Sequence, residues 1–233
     1  MVLCFWSPKG GSGTSVVTAV AGLVLARSAP ARVVDLTGDL PAVLGLADDP
    51  APGLYDWLRA GAQAPTEALD RLAVGIASRL SLLPAGEIDH QVAVAPEAGA
   101  ALAVALDSER TPTVCDAGRL DTPALRAFAE VAGPNLIVVR GCYLALRRAV
   151  HHPAMRETVG AVHIDEHGRS LNARDVEDVL GVPVVASIVA RTSTARAVDA
   201  GVLLSRVPES VSRPLKHALV TADWFGGDGE QAA

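Results

Sequence analysis

A glycine-rich loop near the N-terminus, FWSPKGGSGTS over residues 5–15, has the residue types needed to bind an anion. Gly10, Gly11 and Gly13 permit positive φ angles and close backbone approach, so successive amide N–H groups can converge on a phosphate at the start of the following helix. Ser15 offers a hydroxyl at the position where such loops coordinate Mg²⁺. These residues predict a phosphate-binding loop.

The loop departs from the Walker A pattern G-x-x-x-x-G-K-[ST], in which a lysine comes immediately before the final hydroxyl residue. Gly13 and Ser15 match the pattern, but Pro8 stands at the first glycine and Thr14 at the lysine. The lysine of this loop, Lys9, comes early instead. Only two of the 20 basic residues in the chain are lysines, so a lysine in this position is unusual for this sequence.

Two acidic segments that follow strand-like segments are candidates to complete the site. Residues 35–39 follow the second strand-like segment, and Asp116 lies near the end of the fourth. Ligands of open α/β sheets bind beyond the carboxyl ends of the strands, so the loop and both acidic segments are expected at the same edge. Asp116 is expected to hold Mg²⁺ through water, together with Ser15. The predicted nucleotide-binding residues are Gly10, Gly11, Ser12, Gly13, Thr14 and Ser15.

The elements that position these residues follow from the alternation of apolar and helix-like segments along the chain. The predicted strands are residues 2–6, 31–36, 80–84, 111–118, 135–140, 159–165 and 182–190. The predicted helices are residues 15–27, 41–46, 53–60, 66–78, 90–106, 122–131, 143–151, 172–181, 194–206 and 210–225. Strands that are apolar on both faces and alternate with helices predict a doubly wound α/β fold. We expect a mainly parallel sheet of about seven strands with helices on both faces.

Length and composition favour one domain, residues 1–225, followed by a disordered polar tail over residues 226–233. Half of the 233 residues are apolar, which is enough to bury a substantial core. The net charge of −6 argues against avid non-specific binding to DNA, which requires a basic surface. The apolar runs are too short for a transmembrane helix of ~18 residues, and the N-terminal segment lacks the features of a signal peptide. We therefore expect a cytoplasmic protein.

The glycine loop and the segments that follow it resemble the ParA/MinD family of deviant Walker A ATPases. The loop of that family reads K-G-G-x-G-K-[ST], and this sequence has KGGSGTS over residues 9–15. VVDLTGDLPAVLGL (33–46) is similar to the switch I region, and TVCDAG (113–118) to the end of the switch II strand. ARAVDAGVLL (195–204) is similar to a late helix of the family. LSLLPAGE (80–87) resembles the pilus-localising TadZ/CpaE branch in particular.

The resemblance implies a P-loop ATPase fold that binds ATP and Mg²⁺ and forms a homodimer through the glycine-loop face. It implies that Lys9 reaches across the dimer to the phosphates of the partner, as a cation supplied in trans. A protein partner in a localised assembly is implied as well, such as a pilus or secretion apparatus or the division site. MinD proteins also carry a C-terminal membrane helix. Here the apolar stripe of the last helix has few basic neighbours and favours packing on its own domain.

Two departures from the family pattern predict weak nucleotide binding and little or no hydrolysis. Thr14 replaces the second lysine, and charge-assisted hydrogen bonds contribute roughly 1.5–3 kcal/mol each. Their loss predicts at least roughly tenfold weaker binding. In switch I, Thr37 stands where the family has its hydrolytic aspartate. Asp39, two residues on, is either a substitute carboxylate or the N-cap of the next helix, and we favour the cap.

The sequence therefore indicates a nucleotide-binding switch or pseudo-ATPase, with Lys9 and Asp39 as the candidate catalytic residues. A purely structural partner-binding protein on a retired P-loop fold is the main alternative. A Rossmann oxidoreductase is a weaker one, suggested by Gly11, Gly13 and an acid at Asp35. The missing third glycine and the scarcity of lysine for a Tyr–Lys pair argue against it.

Overall fold

A computed structural model describes residues 1–222, 224 and 225 of the chain, so the tail predicted for residues 226–233 lies outside the described residues. The strands are β1 Val2–Trp6, β2 Ala31–Asp35, β3 Val74–Ala77, β4 Leu80–Leu83, β5 Thr113–Asp116, β6 Asn135–Arg140, β7 Thr158–Asp165 and β8 Val184–Val189. The helices are α1 Thr14–Leu25, α2 Leu40–Leu44, α3 Leu54–Arg59, α4 Glu67–Leu72, α5 Pro96–Asp107, α6 Pro123–Val131, α7 Tyr143–Val150, α8 Ala173–Leu180, α9 Thr192–Asp199 and α10 Glu209–Thr221. A short 3₁₀ helix, Pro153–Glu157, precedes β7.

The strands form one sheet in the order β3-β4-β2-β5-β1-β6-β7-β8. All neighbouring pairs are parallel except β3 and β4, which are antiparallel. Helices cover both faces: α1, α2, α9 and α10 contribute to the core on one face, and α3 to α8 to the core on the other. The predicted doubly wound α/β fold with a mainly parallel sheet is confirmed.

The strand that the sequence prediction missed is β3, which lies at the edge of the sheet. Residues 66–78 were expected to form one helix, but the helix ends at Leu72 and Val74–Ala77 pairs with β4. The apolar residues Leu69, Leu72 and Ile76 have helical spacing, so the pattern alone favoured continuing the helix. Strand pairing prevails because the open edge of β4 offers backbone hydrogen bonds to the returning chain. The sheet therefore has eight strands rather than seven.

The terminal helix α10 packs on its own domain. The apolar stripe predicted for this helix consists of Val211, Leu215, Leu219 and Ala222. The first three are buried against the face that also carries α1, while Ala222 is exposed. Within the described part of the chain, no helix is both long and apolar enough to cross a membrane. The apolar stripe of α10 is accounted for by the core that it contributes to.

The strand order brings the predicted site residues to one edge of the sheet. Strand β5 lies between β2 and β1, with Asp116 opposite Asp35 on one side and opposite Phe5 on the other. Because all three strands run in the same direction, their carboxyl ends meet there. The loop that follows Trp6, the acidic segment after β2 and Asp116 are thereby placed side by side.

At Gly99, helix α5 packs directly against the backbone of the first turn of α6. A Cβ atom added to Gly99 would lie 1.9 Å from the backbone oxygen of Ala124. We expect Gly99→Ala to lower the free energy of unfolding by roughly 1–3 kcal/mol, because the rigid backbone opposite cannot yield. This loss should outweigh the gain of ~1 kcal/mol from the better helix propensity of alanine. Urea unfolding followed by circular dichroism measures the change.

Gly75→Ala is the matched control, because a Cβ at Gly75 would meet no atom within 4 Å. It should leave the stability almost unchanged or raise it slightly. Equal losses of stability in the two variants would contradict the proposed close contact at Gly99.

Candidate functional site

The glycine loop, residues 7–13, connects β1 to α1 with a backbone that requires glycine at two positions. Gly11 and Gly13 have φ angles of 74° and 92°, in the left-handed region that other residues rarely adopt. The hydroxyls of Ser7 and Ser12 each donate a hydrogen bond of 3.0 Å to the Lys9 carbonyl. The loop is therefore held by its own side chains, and Ser12, predicted to bind nucleotide, shapes it from within.

The loop opens onto a cleft of about 620 Å³, a volume typical of small-molecule sites. Three predicted groups of residues meet in it: the glycine loop, the segment after β2 and the segment after β5. The lining residues are Ser7, Gly10 to Val16, Leu36, Thr37, Asp39, Ala42, Val43, Tyr55, Ile88, His90, Asp116 to Arg119, Asp121, Thr122 and Leu125. The convergence that the sequence predicted at the carboxyl edge is therefore present in the fold.

Asp116 is fully buried at the floor of the cleft, and this burial dominates its electrostatics. Burial raises the pKa of its carboxyl to about 7, and the negative charge of Asp35 adds to the rise. The nearby Ser15 hydroxyl and a 3.1 Å hydrogen bond from the Gly118 amide oppose the rise. Ser15 and Asp116, the two predicted metal-binding residues, thus lie close together in the same cleft.

Asp35, also fully buried, organises the segment after β2. Its carboxylate accepts hydrogen bonds from the amides of Thr37, Gly38 and Leu40, at 2.9, 2.8 and 3.1 Å, and from the Thr37 hydroxyl at 3.0 Å. Burial raises its pKa, and these bonds work against the rise. Asp35 is therefore engaged with its own loop, which differs from the exposed ribose-binding acid of the Rossmann alternative.

The Thr37 hydroxyl lies between the two buried carboxylates. It is 3.0 Å from Oδ1 of Asp35 and 3.3 Å from Oδ2 of Asp116. One hydroxyl carries one proton, so it can donate to only one carboxylate at a time. The position where the family resemblance expects an aspartate thus holds a neutral group that links two acids.

Asp39 does not act as the helix cap that the sequence favoured. It stands at the N-cap position of α2, but its side chain makes no capping hydrogen bond, and Asp35 accepts the bond from the Leu40 amide. The prediction failed because the side chain of Asp35 reaches the helix N-terminus from the strand end. The exposed carboxylate of Asp39 lines the cleft instead.

The two positions expected to supply positive charge contribute little to the cleft. Thr14, at the start of α1, is buried and neutral. The ammonium of Lys9 is 3.3 Å from the carbonyl of Gly10, in an exposed position, and Lys9 is not among the residues that line the cleft. The cation that does line it is Arg119, which sequence reasoning missed. Its position three residues after Asp116, at a strand end, was the available signal.

The donor set fits a phosphate group with Mg²⁺. The glycine loop offers amides at a helix N-terminus, and Ser15 with Asp116 offers two oxygen ligands. Mg²⁺ is usually held by one or two protein ligands together with phosphate oxygens and water. Among the described residues there is no cluster of three or more acidic, histidine or cysteine ligands, so an all-protein metal cage is not the arrangement found in that region.

Solved structures with the same fold include ParA and MinD proteins. A ParA family ATPase from Chlorobium tepidum TLS superposes with a TM-score of 0.76 at 21% identity, over 96% of both chains. MinD from Pyrococcus horikoshii OT3, a septum site-determining protein in complex with Mg-ADP, gives a TM-score of 0.76 at 18% identity, over 97% of both chains. The MinC:MinD cell division protein complex of Aquifex aeolicus gives 0.73 at 18% identity, over 95% of both chains.

These similarities establish the fold of the chain as that of ParA/MinD P-loop ATPases. A comparison with protein-family models finds no match, and a comparison with curated proteins finds no significant match. The resemblance noted in the sequence is therefore confirmed at the level of the fold, over almost the whole chain.

The raised pKa of Asp116 predicts a pH-dependent stability. Its folded-state pKa of about 7 lies above the ordinary value of 3.8, so the folded state binds the proton more tightly than the unfolded state. The contribution of Asp116 to stability is then greatest below pH 4 and falls as the pH rises towards 7. At about 1.4 kcal/mol per pKa unit, we expect Asp116→Asn to be more stable than the native chain by a few kcal/mol at pH 8.

This advantage should shrink as the pH is lowered to 5, because Asp116 is then protonated in the folded native protein. Urea unfolding at pH 5, 6, 7 and 8 measures it, with Asp48→Asn as the control for losing an exposed carboxylate. A stability difference that stays constant across this pH range would contradict the assignment.

Proposed function

We propose that the chain is a ParA/MinD-like nucleotide-binding switch or pseudo-ATPase that helps to position a larger assembly. In this proposal it binds ATP with Mg²⁺ weakly and hydrolyses it slowly or not at all. The observation that carries the proposal is a preformed glycine loop that shares one cleft with Asp116, while a neutral threonine occupies the position of the phosphate-binding lysine.

Binding is supported by the parts of the site that do not depend on lysine. The loop has the positive φ angles of an anion-binding loop, and it leads into the N-terminus of a 12-residue helix. Ser15 and Asp116 can hold Mg²⁺ beside the phosphates. The MinD structure that contains Mg-ADP has the same fold, which adds support for these ligands.

Weak hydrolysis is supported by the chemistry of the segment after β2. Phosphoryl transfer depends on charged groups that position the nucleophile and stabilise the transferred phosphate. Thr37 carries no charge, and its hydroxyl is engaged by Asp35 and Asp116. Asp39 lines the same cleft and is the carboxylate available for a residual activity.

The proposed partners are a second copy of the chain and a protein of a localised assembly. The fold is shared with MinD, which is found in complex with MinC in the Aquifex aeolicus structure. The resemblance of residues 80–87 to the TadZ/CpaE branch favours a pilus or secretion apparatus over the division site. We place this function in the cytoplasm and in a single domain, residues 1–225.

The proposal predicts that one added cation restores strong nucleotide binding. We expect Thr14→Lys to tighten the binding of Mg-ATP at least roughly tenfold, because it returns a charge-assisted hydrogen bond to the phosphates. Isothermal titration calorimetry measures both affinities. Ser78→Lys, which adds the same charge at the exposed turn between β3 and β4, should leave the affinity unchanged.

The same variants separate the proposed function from its alternatives. If neither the native chain nor Thr14→Lys binds ATP at millimolar concentration, the pocket is closed and the protein is a structural one on a retired fold. If ATP is turned over and Asp39→Asn abolishes the turnover, the chain is a slow ATPase. Binding of NAD(H) in place of ATP would favour the Rossmann alternative.

The role proposed for Lys9 in a dimer gives a second prediction. Sedimentation velocity should detect a shift of the native chain from monomer towards dimer when Mg-ATP is added. Lys9→Ala should reduce this shift severalfold, because Lys9 is proposed to contact the phosphates held by the partner. Lys216→Ala, which removes the other lysine from the exposed side of α10, is the control. A nucleotide-dependent dimer that forms equally well without Lys9 would contradict this role.

A further inference from the structure

We propose that Arg119 supplies the positive charge for phosphate that Thr14 does not. We propose also that Asp121 forms an ion pair with this guanidinium until an anionic ligand displaces it. The inference rests on the proposed function, since it concerns how the same cleft binds phosphate. It assigns Arg119 as a ligand-binding residue and Asp121 as a positioning residue.

The charges around the cleft make Arg119 stand out. Among the described residues that line the cleft, Asp39, Asp116 and Asp121 are acidic, and Arg119 is the one with a permanent positive charge. The glycine loop lines the same cleft, so Arg119 and the loop border one volume. A multiply charged phosphate entering this cleft therefore meets one fixed cation, and that cation is Arg119.

The backbone that carries Arg119 is firmly held. The amide of Ser7 donates a 2.7 Å hydrogen bond to the carbonyl of Gly118, which ties this segment to the start of the glycine loop. On the other side, Nη1 of Arg126 donates to the carbonyls of Leu120 and Asp121, at 3.2 and 3.1 Å. The Arg119 side chain thus extends from a fixed segment of backbone.

The backbone of the next residue, Leu120, is also fixed by its surroundings. It has a φ angle of 54°, which is rare for a residue other than glycine, and its side chain is fully buried in the core. Such a conformation persists only where the surrounding structure fixes it. Fixing Leu120 in this way also fixes the direction in which the chain presents Arg119.

The ion pair with Asp121 is suited to release. Nη2 of Arg119 is 2.6 Å from Oδ2 of Asp121, and the two side chains are 54% and 57% exposed. An ion pair as exposed as this one contributes little to stability, because water screens it. A guanidinium can bind a phosphate through two parallel hydrogen bonds. A phosphate also carries more negative charge than the single carboxylate of Asp121. Phosphate should therefore displace Asp121 from Arg119.

The test measures phosphate affinity directly, with Mg-ATP and inorganic tripolyphosphate as probes in isothermal titration calorimetry. Arg119→Ala should weaken the binding of both probes roughly tenfold or more, as expected for the loss of a charge-assisted contact. Asp121→Asn should tighten binding severalfold, because it frees the guanidinium. In the double variant this gain should vanish, which a merely structural role of Asp121 would not produce.

Arg110→Ala is the matched control. Arg110 is exposed and precedes β5, at the opposite end of the strand from Arg119, so its loss removes the same charge far from the cleft. Equal affinities of Arg119→Ala and Arg110→Ala would overturn the inference. So would weaker binding by Asp121→Asn.

The same set of variants in a Thr14→Lys background separates this inference from the proposed function. If the native chain binds neither probe but Thr14→Lys does, native nucleotide binding fails as a function. A loss of affinity in Thr14→Lys/Arg119→Ala would still support Arg119 as the phosphate ligand, and no loss would overturn it. Absence of binding in both backgrounds overturns both proposals.

Discussion

Two buried carboxylates, Asp35 and Asp116, lie side by side at the carboxyl edge of the sheet, because β5 pairs with β2 in a register that sets them opposite each other. Burial and mutual repulsion make it costly to ionise both. The structure compensates with hydrogen bonds: Asp35 accepts from the backbone of the segment that follows it, and Asp116 accepts from the Gly118 amide. The shape of the segment after β2 follows from this arrangement, since Asp35 determines where α2 begins.

This arrangement gives a physical reason for threonine at position 37. The Thr37 hydroxyl is within hydrogen-bonding distance of both carboxylates. An aspartate here would put a third negative charge beside two buried ones, in a cleft whose lysine position is held by Thr14. The two threonines are therefore linked. With a neutral residue at the lysine position, a third carboxylate beside two buried ones would lack the adjacent lysine charge, and a neutral residue gives the more stable site.

The sequence predicted the parts of the structure that depend on local pattern. Strand β1 and the centre of β6 are continuous apolar runs, and the glycine spacing of residues 10–13 predicts a tight loop between strand and helix. The meeting of this loop with Asp116 followed from the strand direction alone. Two features depended on contacts that no local pattern records. The edge strand β3 forms because β4 offers it a partner, and Asp35 takes over the capping role expected of Asp39.

Arg119 was missed for a related reason. Its sequence context contains no motif, and its importance emerges only when the charges around the cleft are compared in three dimensions. The raised pKa values of Asp35 and Asp116 likewise depend on burial. Apolar neighbours in the sequence, such as Cys115, suggest that these residues are buried but do not show how deeply. Sequence patterns indicate which groups can meet at a site. The balance of charge at that site depends on how deeply each charged side chain is buried and on where it points.

In the proposed function, phosphate binding and phosphate hydrolysis would depend on different groups of this cleft. Binding would rest on backbone amides whose directions are set by Gly11 and Gly13, with the proposed contact of Arg119 adding a positive charge. Hydrolysis relies on charged side chains, and two of the expected ones are neutral here. A chain with this division can keep a nucleotide-dependent surface while it loses turnover. Its state would then follow the nucleotide concentration rather than a hydrolysis rate, because binding and release are the steps that remain.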